Sequence, residues 1–164
     1  MLIDVSYFTS GSRNVLNASA AQMLTEASSA VNDTIMAFVE ELQEDYLMDM
    51  LGEYGKDIHE YLMQEPHDED DTMELICVKL KESFADYVFF HMLRDCQTQF
   101  TINGLVLLKN ANEYVSPISK QVSTWNRMVK RNKAFQEWSK SDKCPISTIE
   151  VSENLLTPIN NFNL

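Results

Sequence analysis

The chain has 164 residues, and its 13 Lys and Arg against 25 Asp and Glu leave a formal charge of −12. Apolar residues make up 45%, enough for a core, which excludes global disorder. With only 4 Gly and 4 Pro, a turn-rich all-β sandwich or barrel and any collagen-like or low-complexity chain are excluded as well.

Residues 1–18 read as an arm in which Leu2, Ile3, Val5, Tyr7 and Phe8 cluster before Thr9-Ser10-Gly11-Ser12 breaks any regular element. Between Ser19 and Val31 a helical turn or two is expected, weakened by serines that compete for backbone hydrogen bonds. From Asn32 or Asp33 as N-cap, Ile35, Phe38, Val39, Leu42, Tyr46 and Met50 recur at helical spacing until Gly52 stops the helix. A short helix around Lys56–Gln64 carries Ile58, Tyr61 and Leu62 on one face, and residues 65–71 form an acidic loop.

Asp71-Thr72-Met73-Glu74 has the form of a capping box and opens the longest helix, running to Gln99 over about 28 residues or roughly 42 Å. From Phe84 to Leu93 this helix is apolar on most sides, so it either occupies the centre of a bundle or faces a partner. Thr101–Leu108 reads as a strand or tight hairpin. Ser116-Pro117 starts a last helix whose inner stripe is Ile118, Gln121, Val122, Trp125, Met128, Val129, Asn132 and Phe135. The tail after Asp142 is too apolar to be left in water and must pack on its own domain or on a neighbour. The expected fold is mainly α: a small helical bundle with two long helices, a short hairpin or strand insertion, and extended terminal arms. Its parts are an arm over residues 1–18, a helical domain over 19–142 and a tail over 143–164.

Catalytic and metal-binding patterns are missing. There is no glycine-rich phosphate loop, HExxH, calcium loop or nucleophile elbow. Cys77, Cys96 and Cys144 form no CxxC and have no His at metal-ligand spacing, so inert thiols in a reducing compartment are expected. His67 lies in an acidic loop that lacks the spacing and turn glycine of a calcium site. His91 reads as a core imidazole, and Glu40, Glu44 and His59 lack the Glu-x-x-His pairs of a di-metal bundle. The expectation is therefore no enzyme, no cofactor and no metal. Asp4 stands where a signal peptide would need positive charge, and nothing approaches the ~18 apolar residues of a membrane span, so no membrane association is expected.

Charge is unevenly placed. Glu26 to Glu74 holds 16 acids and one base, whereas Lys109 to Lys143 holds eight bases and three acids. Either two helix faces of opposite sign pack against each other within one molecule, or they are complementary between neighbouring copies. The basic strip Arg127, Lys130, Arg131 and Lys133 could touch phosphate, but a chain at −12 is repelled by a duplex.

At Asn110-Ala111-Asn112-Glu113-Tyr114-Val115-Ser116-Pro117-Ile118 and Trp125-Asn126-Arg127-Met128-Val129, the sequence resembles a family of small proteins from tailed phages and prophages of gut anaerobes. Phe84-Ala85-Asp86-Tyr87, Glu41-Leu42-Gln43-Glu44 with Met50-Leu51-Gly52, and the opening Phe8-Thr9-Ser10-Gly11 fit the same pattern. The resemblance is to head–tail connector proteins, also called head-completion or adaptor proteins. It implies a ring of copies below a portal protein, a tail-completion protein beyond it, and packaged DNA passing without sequence-specific binding. The implied location is the host cytoplasm during assembly and then the virion neck. It brings no catalytic residues. Candidate contacts between copies or with partners are Arg127, Lys130 and Arg131 on the basic helix, and Glu40 and Glu44 on the acidic one. In the tail they are Ile149, Val151, Leu155, Leu156, Ile159 and Phe162. The alternative is an acidic helical interaction module, a regulator or DNA mimic whose binding to a basic partner weakens with salt.

Overall fold

A computed structural model describes residues 1–64, 70–95, 98–101, 104–107, 117–146 and 149–160. The helices are α1 (Glu26–Leu51), α2 (Tyr54–Met63), α3 (Asp71–Asp95) and α4 (Ile118–Ser139). Between α3 and α4, β1 (Thr98–Thr101) pairs antiparallel with β2 (Gly104–Leu107), Thr98 opposite Leu107 and Thr101 opposite Gly104. Short 3-10 turns lie at Val5–Phe8, Gly11–Arg13 and Glu153–Leu156. The architecture is the expected mainly helical bundle with a small hairpin.

The bundle is organised around α3, which packs on α4 most extensively and also on α1 and α2. Every residue from Ser83 to Phe90 is buried, so the segment that is apolar on most sides lies at the bundle centre. The Tyr46 ring of α1 meets Phe84 and Tyr87 of α3 at centroid distances of 5.0 and 5.2 Å. α2 folds back on α1 so closely that a Cβ on Gly55 would stand 2.4 Å from the Leu47 carbonyl oxygen. Only glycine fits that contact.

Several element boundaries differ from the sequence expectation, α2 starting at Tyr54 and the hairpin at Thr98 among them. α1 begins at Glu26 rather than after Asn32, with the Thr25 hydroxyl accepting the Ser28 N–H at 3.2 Å. Asn32 instead lies inside the helix, buried, and its amide brackets the passing N-terminal segment. Its Oδ1 accepts from Ser19 N at 3.2 Å and its Nδ2 donates to Ser19 O at 2.8 Å. The cap of α3 is Asp70 rather than Asp71, because Asp70 Oδ1 takes the Thr72 and Met73 N–H groups at 2.9 and 3.1 Å. α3 ends at Asp95, since Thr98 and Gln99 enter β1. The predicted cap Ser116 lies outside the described residues.

Both ends of the chain contribute to the core. Leu2, Ile3 and Phe8 are buried, and the Leu2 N–H donates to the buried Gln43 Oε1 at 2.6 Å. Val151 and Leu155 of the tail are buried too. The tail backbone is held along α4: Trp125 Nε1 donates to Thr157 O, and Asn132 Nδ2 donates to Leu155 O, each at 2.9 Å. The Asn126 amide exchanges two bonds of 2.9 Å with the Ile159 backbone. The Ser152 N–H donates to Asp49 O of α1 at 2.7 Å. Of the two options for the apolar tail, residues 149–160 take the first and pack on their own domain.

Candidate functional site

Among the described residues, a dense group of charges gathers around the buried Asp86 and reaches the bundle surface at Glu82, whose side chain is 52% exposed. Glu82 and Asp86 sit one turn apart on α3, Arg127 and Arg131 one turn apart on α4, and Arg13 comes from the N-terminal segment. The Asp86 side chain is 0% exposed. Arg127 grips it with Nη2 on Oδ1 at 2.5 Å and Nε on Oδ2 at 2.9 Å. Arg13 Nη1 reaches Oδ1 at 2.9 Å, and Arg131 Nη1 pairs with Oδ2. Glu82 Oε2 then takes Arg13 Nη2 at 2.8 Å and Arg131 Nη2 at 3.1 Å. Burial works against the Arg13 charge, yet bonds to Asp86 and Glu82 outweigh it and hold its pKa above the ordinary guanidinium value.

Chemically this cluster is a clamp. A carboxylate offers about four lone-pair positions, and guanidinium N–H groups occupy those of Asp86. No position is left for a substrate or a transferable proton. Such a group ties three segments together, and stripping away one partner of a buried pair costs about 3–5 kcal/mol. Arg127 and Arg131, named from sequence as partner contacts, thus turn their charge inward, with side chains 29% and 34% exposed. Their acids, Glu82 and Asp86 of α3, lie beyond the acidic segment Glu26–Glu74. The signal was present: an aspartate inside Phe84-Ala85-Asp86-Tyr87-Val88 must be paired if buried. The one-turn spacing of Arg127 and Arg131 matches that of Glu82 and Asp86.

A second polar group joins α1, α3, α4 and the tail. The Tyr46 hydroxyl donates to Asn132 Oδ1 at 3.4 Å and the Ser83 hydroxyl donates to the same oxygen. Burial, opposed by Ser83, pushes the Tyr46 pKa far up, so the phenol stays protonated. His91 packs edge-on against the rings of Tyr87 and Phe90, with centroids 4.5 and 5.5 Å away. Burial lowers its pKa, and the nearby Arg94 adds to that. Gln43 Nε2 lies 3.5 Å from His59 Nδ1. Cys77 is buried, and burial pushes its thiol up to about 11, which leaves it a poor nucleophile. Cys96 and His67 lie outside the described residues. Among the described residues, no group of three His, Cys, Asp or Glu is placed to hold a metal ion. No helix among them is long and apolar enough to cross a membrane.

Other charges face outward. Glu40, Glu41, Glu44 and Asp45 are exposed on α1, and Lys130 and Lys133 are exposed on α4. Both lysines line a cleft of about 470 Å³ whose far wall includes Pro158 of the tail. Glu40, Glu44, Lys130 and Lys133 make no ion pair within the described part of the chain. In the tail, Ile149, Leu156 and Ile159 are half-buried beside the buried Val151 and Leu155, and Phe162 lies outside the described residues. Sequence reasoning missed two apolar exposures. Leu16 and Met23 are 82% and 92% exposed on an uncharged stretch before α1, and Leu75 and Val78 stand out from the first turns of α3. Compared with known proteins, the chain matches no family model, no curated protein and no solved structure.

Proposed function

We propose that the chain is a structural assembly protein, a head–tail connector that joins copies of itself into a ring below a portal protein and continues a DNA channel towards a tail-completion protein. One observation carries the reading. The charges around the buried Asp86 are consumed by folding, while Glu40 and Glu44 on α1 and Lys130 and Lys133 on α4 stay exposed and make no ion pair among the described residues. Two different patches of opposite sign on one molecule suit a head-to-tail interface, which closes into a ring when the rotation permits. The exposed Leu16 and Met23 supply apolar surface that assembly would cover. A net charge of −12 favours DNA sliding past without sticking. The resemblance to connector proteins at Asn110–Ile118 and Trp125–Val129 points the same way.

The test is to mix the purified chain with a tailed-phage portal protein from the same genome and image the product. The expected result is a ring of copies on the portal. Failure of the portal to capture the chain at low and at moderate salt contradicts the reading. Tight, salt-sensitive capture of a basic partner in place of the portal would favour the acidic interaction module, to which the exposed row Glu40, Glu41, Glu44 and Asp45 is suited.

A further inference from the structure

Where the tail crosses α1, α3 and α4, a cleft of about 350 Å³ combines aromatic residues with two opposite charges. The rings of Phe90 and Trp125 lie 4.7 Å apart by centroid, Tyr87 stands 6.4 Å from Trp125, and His91 abuts Tyr87. Asp49 enters the cleft from α1 and Arg94 from the last turn of α3. Neither makes an ion pair within the described chain, and the Arg94 guanidinium only lies over the Phe90 ring, 5.9 Å from its centre. Burial, with Asp45 nearby, raises the Asp49 pKa, a cost that an incoming cation would relieve.

The shape decides the class of ligand. Small-molecule sites typically enclose about 70–90% of their ligand. This cleft opens broadly to solvent, so a free metabolite would stay largely wet. A side chain projecting from a passing backbone would fit: its ring lies on the aromatic walls while its backbone runs outside. Aromatic anchors seated in pockets carry much of the energy of protein interfaces.

We propose that this cleft docks an extended segment of an assembly partner, seating one aromatic side chain against the part-exposed Trp125, which the buried Tyr87 and Phe90 back, with a basic neighbour on Asp49 and an acidic neighbour on Arg94. The inference rests on the assembly reading for the kind of partner and on the cleft alone for the chemistry recognised.

Capped tripeptides test it: Ac-Lys-Phe-Glu-NH2 and the reversed Ac-Glu-Phe-Lys-NH2, against the same peptides with Ala for Phe, and against free phenylalanine. Each is titrated into the full chain while the Trp125 indole N–H resonance is followed. One of the two orders should shift that resonance and bind about tenfold tighter than its alanine version. Asp49→Asn should weaken the lysine-containing peptide by about three- to fivefold and leave a peptide with Ala in place of Lys unaffected. Arg94→Gln should do the same for the glutamate. No shift with either order at millimolar concentration overturns the proposal, and so does free phenylalanine binding as tightly as the peptide, which marks a small-molecule site. Portal capture without peptide binding sinks this site and leaves the assembly reading standing. Peptide binding without portal capture does the reverse.

Discussion

Arg127 and Arg131 alternate along α4 with Lys130 and Lys133, yet the two pairs have opposite fates. The arginines close on the buried Asp86, and Arg131 also on Glu82 at the bundle surface. The lysines stay in water and make no ion pair among the described residues, although Glu137 lines the same cleft. Buried charge must be paired within the chain, and breaking such a pair costs several kcal/mol. Exposed charge contributes about 0–1 kcal/mol per pair and can be held for another molecule. Burial therefore separates the charges that make the fold from those offered to a partner, although in sequence they form one basic strip.

That contrast can be broken at several points. Asp86→Ala should be the most damaging change, because it leaves the guanidiniums of Arg13, Arg127 and Arg131 facing one another without their shared acceptor. A loss of about 3–5 kcal/mol in urea unfolding is expected. Replacing Asp86, Arg127 and Arg131 together by apolar residues of similar volume should recover much of it. Leu155→Ala comes next at about 2–4 kcal/mol, since Leu155 is 2% exposed and anchors the tail on the core. A tail that only decorates the bundle would show almost no change.

Gly55→Ala should cost about 1–3 kcal/mol by forcing α2 off the Leu47 backbone, and thermal unfolding reads it directly. The smallest stability effect belongs to His91. Its pKa is lowered in the folded chain, so the fold favours the neutral imidazole. Stability is complete above the unfolded value of about 6.5 and falls as pH drops through the folded value, because the unfolded chain takes the proton first. His91→Phe should flatten that acid-side decline relative to the unaltered chain.

The helices were legible because their apolar residues repeat at helical spacing, and the hairpin because Thr101–Leu108 breaks that spacing with β-branched residues and a glycine. Helix starts were less so. Asn32 is a good cap by residue type, but its amide bonds to Ser19, a partner that only the folded chain brings near. The same is true of Asn126 and Asn132, whose amides hold a tail 23 to 33 residues away. Arg127 and Arg131 precede the buried Met128 and Asn132, and so flank the inner stripe where a long side chain can reach inward. That position and their one-turn spacing were legible, but the carboxylates they meet come from α3 and are brought near only by folding.

The most direct test of the division between inner and outer charge is assembly on the portal by chains with reversed surface patches. Glu40→Lys with Glu44→Lys, and separately Lys130→Glu with Lys133→Glu, should each abolish ring formation while leaving the thermal midpoint nearly unchanged. All four substitutions on one chain should restore rings, because the patches are again complementary. Rings that persist in both double variants, or that fail to return in the fourfold one, contradict the account.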